Sequence, residues 1–348
     1  MKKTLAIDCS KLNSEYKTGT HRFLVGFLNE LVKNSEYDFY FFTNGDSSFL
    51  KEFNFTKKGS VIEVRSVFYT QIGLLNYLNQ FDYFIFPWQT LPFLGFLSKK
   101  TKVSIIHDTG FSFKTKITTF LTQVISNKIY SVSESTAKKL FRSSVVLGEG
   151  VDNKIFFPIY GIELRKKAKD LDIPNFFILS LGRIEKRKNI YNNLKSFAKV
   201  KKFYPNLKYV FIGKFVEDEE KIYSFISSLG LTRADVLFKK NINDTDLNYY
   251  LNSMEFLVFT SLEEGFGLPV LESYAVQKPV LLSKIEQLAE FKISANQLVN
   301  PLDSEEIYQK MILFLNKEHG ITNKKEFKGI LSKYSWKKSA EIFIKGLE

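Results

Sequence analysis

Short apolar, β-rich runs alternate with segments of helical period along the whole chain. In the first half the runs at residues 4–7, 38–42, 61–64, 83–86, 103–106, 128–132 and 145–147 predict strands, and in the second half those at 176–181, 209–212, 236–238, 256–260 and 280–282 do the same. Between them, apolar residues at helical spacing predict helices over 19–32, 189–202, 218–229, 246–252, 269–276, 305–316 and 336–347. Strands separated by crossover helices pair in parallel, so the pattern predicts an α/β protein built on parallel sheets. The polar stretch 161–172, just ahead of the second strand series, is the expected domain boundary, with Pro158 closing the first domain.

Size supports that division. A chain of 348 residues with 44% hydrophobic content can bury two cores, and one core would be oversized. The single cysteine, Cys9, follows the apolar Leu5-Ala6-Ile7 and is expected to be a buried, inert thiol. No stretch reaches the roughly 18 uninterrupted apolar residues that span a bilayer. The most apolar one, 81–97, is broken by Asp82, Pro87, Gln89 and Pro92. After Met1-Lys2-Lys3-Thr4 only three apolar residues precede Asp8, too few for the core of a secretory signal, so the expected location is the cytoplasm.

The net charge of +13 is unevenly spread. From Lys99 to Arg142 nine basic residues (Lys99, Lys100, Lys102, Lys114, Lys116, Lys128, Lys138, Lys139, Arg142) face two acids, Asp108 and Glu134. Inside that window Phe113, Ile117, Phe120, Leu121 and Val124 recur at helical spacing, with Lys114 and Lys116 beside them. Three readings stand for this segment: a core-facing helix, a helix on an anionic membrane surface at the inner face, and a nucleic-acid patch. No recognisable nucleic-acid module accompanies the charge, so no nucleic-acid partner is expected.

Chemistry concentrates at the carboxyl ends of predicted strands. Ser261-Leu262-Glu263-Glu264-Gly265-Phe266-Gly267-Leu268-Pro269-Val270-Leu271-Glu272 follows the strand at 256–260, and Pro269 suits the first turn of a helix. In a doubly wound sheet such strand-turn-helix junctions line the ligand crevice, and the helix start offers N–H groups to an anion. Glu264 in the loop and Glu272 one turn into the helix are acceptor-only groups suited to sugar hydroxyls. Gly182-Arg183-Ile184-Glu185-Lys186-Arg187-Lys188 follows the strand at 176–181. Arg183 offers a planar fork of donors and Lys188 a point charge, a combination suited to a diphosphate. His107-Asp108 follows the strand at 103–106. Asp244-Thr245-Asp246 opens a predicted helix, where Asp and Thr serve as caps, and the three histidines His21, His107 and His319 lack metal-ligand spacing, so no metal site is expected.

The Glu264-to-Glu272 segment resembles the Glu-x7-Glu signature of glycosyltransferase family 4. Other segments resemble the family in the expected order: Asp8 with Thr18-Gly19-Thr20, Ile106-His107-Asp108, Val132-Ser133-Glu134-Ser135, Gly150-Val151-Asp152 with Phe157-Pro158, Leu181-Gly182-Arg183 with Lys188-Asn189, and Tyr334-Ser335-Trp336. The resemblance implies the GT-B fold, two Rossmann-like doubly wound domains facing a central crevice. Residues 1–158 would form the acceptor-side domain, 159–330 the nucleotide-sugar domain, and 331–348 a closing helix that crosses back to the first.

It further implies retaining, metal-independent transfer of a hexose from a nucleotide diphosphate sugar, without a cofactor. The acceptor would be a glycan or a polyprenyl-linked sugar in surface polysaccharide or glycoconjugate assembly. Carried over by position, Glu264 contacts the transferred sugar, Glu272 the ribose, and Arg183 and Lys188 the diphosphate. His107 contacts the sugar at the transition state. Backbone groups of Gly182, Gly265, Phe266, Gly267 and Leu268 line the donor, with Gly19 reaching it from the first domain. Lys186 and Arg187 have no counterpart and read as solvated. Three positions depart from the pattern: Gln277-Lys278-Pro279, Glu149 and Gly19-Thr20-His21. Two alternatives stay open, a GT-B sugar-nucleotide epimerase and a non-catalytic anionic-surface binder.

Overall fold

The computed structural model describes residues 2–13, 19–109, 113–318 and 324–348. Thr18 and His319 lie outside the described residues, as does the side chain of Lys114. The chain divides into two compact units, residues 1–150 with 334–348 and residues 151–333.

The first unit is built on β1 (Lys3–Asp8), β2 (Tyr37–Asn44), β3 (Gly59–Val64), β4 (Tyr83–Phe86), β5 (Thr101–Ile106), β6 (Lys128–Ser131) and β7 (Val145–Val146). All pairings are parallel, in the order β3-β2-β1-β4-β5-β6-β7. The order reverses between β1 and β4, the switch point of a doubly wound sheet. Helix α1 (Gly19–Leu31) buries Phe23, Leu24, Phe27, Leu28 and Leu31, the stripe that its periodicity predicts.

Helix α2 (Phe113–Ile125) overturns the core-facing reading. Thr119, Thr122 and Gln123 are buried while Phe113, Ile117, Phe120 and Val124 are exposed. Spacing revealed the stripe but not which side it would take. Helix α3 (Glu134–Lys138), a short turn capped by Ser133, completes the helices of this stretch.

The second unit carries β8 (Phe177–Leu181), β9 (Lys208–Ile212), β10 (Val236–Lys239), β11 (Leu257–Phe259), β12 (Val280–Ser283) and β13 (Leu298–Val299). They pair in parallel in the order β10-β9-β8-β11-β12-β13, again doubly wound, with the switch point between β8 and β11. At two residues, β13 is too short to show in an apolar pattern.

Its helices are α4 (Gly161–Asp170), α5 (Ile190–Lys201), α6 (Glu219–Ser228), α7 (Asp244–Ser253), α8 (Leu268–Ala275), α9 (Ser304–Leu315) and α10 (Lys324–Leu331). The core is aliphatic and aromatic, with Ile178, Leu194, Phe197, Tyr209, Val258 and Leu281 at its centre. Helix α4 corrects the expected linker at 161–172. It packs on α7 without one fully buried side chain, so its sequence is as polar as a loop's.

The boundary also falls earlier than Pro158. Asn252 of α7 accepts from the Ile159 N–H at 2.8 Å and donates to the Phe157 carbonyl at 3.0 Å, tying 157–159 to the second unit.

Helix α11 (Trp336–Leu347) closes the chain within the first unit. Its Ser335 cap accepts from the Lys338 N–H at 3.2 Å. Phe343 packs against Phe27 and Tyr130, and the Lys128 ammonium caps its far end by donating to the carbonyls of Gly346 and Leu347 at 2.7 Å each.

Candidate active site

The parallel sheet of the second unit brings two loops together at its switch point, one leaving β8 and one leaving β11. The first begins at Gly182 and turns through Lys186–Lys188 to Asn189, a left-handed residue (φ 60°) that starts α5. Asn189 is buried and donates from Nδ2 to the Thr260 carbonyl at 3.0 Å and to the Pro301 carbonyl at 2.6 Å. One amide thus holds the ends of three loops in register. Thr260 donates its hydroxyl to Asn193 Oδ1 of α5, which fixes the second loop from its first residue.

The charged groups interlock on that frame. Lys188 Nζ lies 2.5 Å from Glu264 Oε1, and the Glu264 side chain is only 8% exposed. Arg187 approaches Glu264 Oε2 at 3.4 Å, donates to the Glu263 carbonyl at 2.9 Å, and pairs with Glu185 at 2.8 Å. The reading of Arg187 as solvated is therefore wrong: its side chain is 20% exposed and sits among carboxylates. No spacing within its own loop could reveal this, because Glu264 lies on a different strand's loop. Lys186, by contrast, is exposed. Burial works against ionisation of Glu264, but Lys188 and Arg187 outweigh it and hold the carboxyl below its ordinary range. Glu264 is thus an ionised acceptor, not an acid.

Beside this pair is a shallow, open pocket lined by Gly182, Arg183, Lys188, Phe259, Thr260 and Ser261. Arg183 is 57% exposed and 3.7 Å from Glu185, so its guanidinium is available at the rim. Lys188 lies 5.1 Å from the Phe259 ring centroid. An anion entering here meets Arg183 and Lys188, the two cations selected from the sequence.

The turn into α8 matches expectation in position and differs in detail. Gly267 is the cap residue, at φ 118°, and a Cβ there would lie 3.1 Å from Leu288 and 3.3 Å from Phe291. Phe266 and Leu268 are core side chains, Phe266 meeting the Phe291 ring edge-on at 5.4 Å, so only their backbones can serve a ligand. Gly265 is half-buried in the same turn, and Glu272 is buried within α8.

Gly213 carried no motif, yet it sets the position of the loop that leaves β8. A Cβ on it would lie 1.9 Å from the Gly182 carbonyl oxygen. Its one visible signal is a glycine directly after the strand at 209–212.

Asp244-Thr245-Asp246 is corrected in its caps: α7 begins at Asp244, and Asn243 caps it. Asn243 Oδ1 accepts from the Asp246 N–H as an N-cap, and its Nδ2 donates to the Asp246 carboxylate, both at 2.8 Å. Among the described residues no group of three His, Cys, Asp or Glu side chains is arranged to hold a metal ion.

His107 and Gly19 belong to the first unit. Gly19 is exposed at the start of α1. His107, one residue past β5, is 9% exposed, edge-on to Phe23 at 4.8 Å, with Nε2 3.0 Å from the Pro87 carbonyl. A carbonyl only accepts, so Nε2 carries the proton. Burial lowers this imidazole to about pH 4 against the opposing carbonyl contact, and the ring is neutral at pH 7. Below its unfolded pKa the unfolded chain binds a proton that the folded chain refuses. Stability is therefore expected to fall between about pH 6.5 and pH 4, and His107→Gln to flatten that part of the profile. Urea titrations of both proteins at pH 7 and pH 5 check this. Equal losses in the two would remove His107 as the cause.

Asp8, at the end of β1, is buried and accepts from the Ser10 N–H and the Tyr69 hydroxyl at 3.0 Å each, and burial raises its carboxyl. Cys9 beside it is buried as expected, its thiol pushed up by the same burial.

Residues 162–328 match the family model described as Glycosyl transferases group 1. That span is nearly all of the second unit and includes every charged residue of the pocket. Serotype-specific mannosyltransferase WbdA of Escherichia coli is 30% identical over 236 residues, covering 64% of this chain and 28% of that protein. Capsular polysaccharide biosynthesis glycosyltransferase CapM of Staphylococcus aureus is 27% identical over 205 residues, 55% of this chain and 52% of that one. The chain thus spans less than a third of WbdA and about half of CapM.

Among solved structures, Anabaena Alr3699/HepE in complex with UDP and glucose superposes with a TM-score of 0.80 at 15% identity, covering 99% of both chains. A glycosyltransferase from Rickettsia africae gives 0.75 at 17% identity, covering 100% of this chain and 99% of that one. With two parallel Rossmann-like sheets, the fold is GT-B. Residues 162–328 are thus similar to group 1 glycosyl transferases, and the relatives named here are glycosyltransferases.

Proposed function

We propose that this chain transfers a hexose, with retention of configuration, from a nucleotide diphosphate sugar to a glycan or polyprenyl-linked acceptor during surface polysaccharide assembly in the cytoplasm. The observation that carries the reading is the Lys188–Glu264 pair beside a pocket rimmed by Arg183. A carboxylate kept ionised by two cations is a fixed acceptor for sugar hydroxyls. Lys188 and Arg183 neutralise a diphosphate as it departs, and they do so from positions set before the reaction. In this reading the leaving phosphate takes the acceptor's proton on the face where it departs. Glu264 then orients and stabilises without forming a bond to the sugar. His107 keeps, from the resemblance alone, the role of a sugar contact, and as a neutral, hydrogen-bonded ring it would act as a polar group rather than a charge.

Mannose is the first sugar to test, because WbdA and the O-antigen chain mannosyltransferase B of Escherichia coli are named for it. A thermal-shift screen against UDP-, GDP-, ADP- and dTDP-sugars tests donor binding. A ligand at 100 times its Kd stabilises the folded state by about 2.7 kcal/mol. No shift with any of the four classes would refute the reading, and conversion of a donor sugar without acceptor would point to an epimerase.

The protein's own cations supply the charge in this proposal, so transfer is expected to survive EDTA. Activity lost to the chelator and restored by manganese or magnesium would reverse that.

A further inference from the structure

Helix α2 is built inside out. The side chains it turns to the sheet are Thr119, Thr122 and Gln123, at 3%, 2% and 4% exposure, whereas Phe113 and Val124 on its outer face are 81% and 56% exposed. A helix on a water-facing surface places its apolar stripe inward. Here hydrogen bonds hold the opposite orientation: Thr122 donates to the Gln89 carbonyl at 2.9 Å, and Gln123 Oε1 accepts from the Phe141 N–H at 3.0 Å.

The apolar face continues past the helix. The turn Phe93–Leu97 leaves Phe93, Leu94, Phe96 and Leu97 each at least half exposed. It abuts α2 so closely that a Cβ on Gly95 would lie 3.3 Å from Ile125. Gln71 joins the next segment to that turn by accepting from the Phe93 N–H at 2.8 Å, and Phe68 and Ile72 around it are also exposed. On the other flank the Phe141 ring lies 5.0 Å from that of Phe120. Contiguous exposed apolar surface on this scale marks an interaction site.

The charge beside it is narrower than the sequence suggests. Lys100 pairs with Asp82 at 2.8 Å, and Lys102 is buried and donates to the Ser98 carbonyl. Lys128 caps α11, and Arg142 donates to the carbonyls of Gln123 and Ser126. At least four of the nine basic residues therefore serve the fold. Lys99, two residues past Leu97, and Lys116, beside the outer stripe of α2, are exposed at the edge of the apolar face, as are Lys138 and Lys139 near Phe141.

We propose that this face docks on the anionic surface of a lipid bilayer, with Phe96, Leu97 and Phe113 entering the acyl boundary and Lys99 and Lys116 at the headgroups. Aromatic and aliphatic side chains ringed by long basic ones fit that boundary, because lysine stems lie along apolar surface while their ammonium groups reach phosphate. A second copy of this chain would set one lysine edge against another, and lysine is depleted in protein interfaces.

The test is co-sedimentation of the full chain with vesicles of phosphatidylcholine, with and without phosphatidylglycerol. It needs neither donor nor acceptor, so its outcome is independent of the proposed transfer reaction. The parent is expected to partition onto the mixed vesicles. Phe96→Ser/Phe113→Ser is expected to reduce partitioning at least tenfold (about that order), and Lys99→Glu/Lys116→Glu to abolish the preference for phosphatidylglycerol. Both pairs alter exposed side chains, so parent-like thermal unfolding is expected and shows that the variants are folded. The proposal is overturned by absence of binding at low salt, by binding indifferent to phosphatidylglycerol, or by unchanged binding of the serine variant. A lipid-free dimer, seen by light scattering and dissociated by the serine substitutions, would assign the face to a second copy instead.

Discussion

Glu264→Gln is expected to reduce turnover by about 100-fold or more while leaving nucleoside diphosphate affinity equal to or tighter than the parent's. The carboxylate is held by Lys188 and Arg187, and Lys188 also lines the pocket. Removing the negative charge takes an acceptor from the sugar and releases a cation to the phosphates. Glu264→Ala goes further, because it leaves two largely buried cations without their shared partner. That change is expected to cost about 3 kcal/mol of stability, partly restored by a bound nucleoside diphosphate. Glu272→Ala should differ in kind. Assigned to the ribose, it is expected to weaken binding of donor and of free nucleoside diphosphate roughly tenfold with a smaller effect on turnover. Steady-state kinetics with calorimetric titration of nucleoside diphosphate separates the two. Identical nucleotide affinities in Glu272→Ala and the parent would sink the division of roles.

Gly213→Ala is expected to unfold or displace the loop that leaves β8, although Gly213 itself touches no ligand in the proposed mechanism. The new methyl carbon would lie 1.9 Å from the Gly182 carbonyl oxygen, a backbone atom that cannot rotate aside. Gly182 is already tied by its N–H to the Ile212 carbonyl at 3.0 Å, and Ile184 to the Lys214 carbonyl at 2.8 Å, so the strain spreads along both strand ends. Overpacking of this kind costs about 3 kcal/mol, and in a unit of this size that lowers Tm by about 6–12 °C. Arg183 moves with Gly182, so nucleotide affinity should fall as well. Gly230→Ala is the control: its φ is 73°, but nothing lies within 4 Å of the added carbon, so only backbone strain of about 1 kcal/mol is expected. Equal Tm values for the two variants would show that the close approach to Gly182 is not what constrains position 213.

The sequence by itself determined the architecture and the candidate ligands. Parallel strands buried under crossover helices must be short, apolar and evenly interrupted, so the strands from Lys3–Asp8 to Val280–Ser283 were legible to within a few residues. Glu264, Arg183 and Lys188 were legible because ligand groups in such sheets sit just past strand ends, and a strand-turn-helix junction shows in local spacing. What the tertiary structure alone decided was everything that depends on which strands are neighbours or which side faces in. β8 lies beside β11, 75 residues or more along the chain, and only that adjacency puts Lys188 and Arg187 against Glu264. The same adjacency logic makes Gly213 indispensable, since its constraint is a carbonyl on the next strand. In α2 the apolar stripe was visible but its direction was not. Periodicity records the phase of a helix relative to itself, and only the hydrogen bonds of Thr122 and Gln123 to the rest of the unit set the phase relative to the core. The domain boundary moved for a related reason: Asn252, more than 90 residues away, binds the backbone at 157–159. Local order follows from the chain's own periodicity, whereas contacts between distant segments follow from the order of strands in the sheet, which no single window of sequence contains.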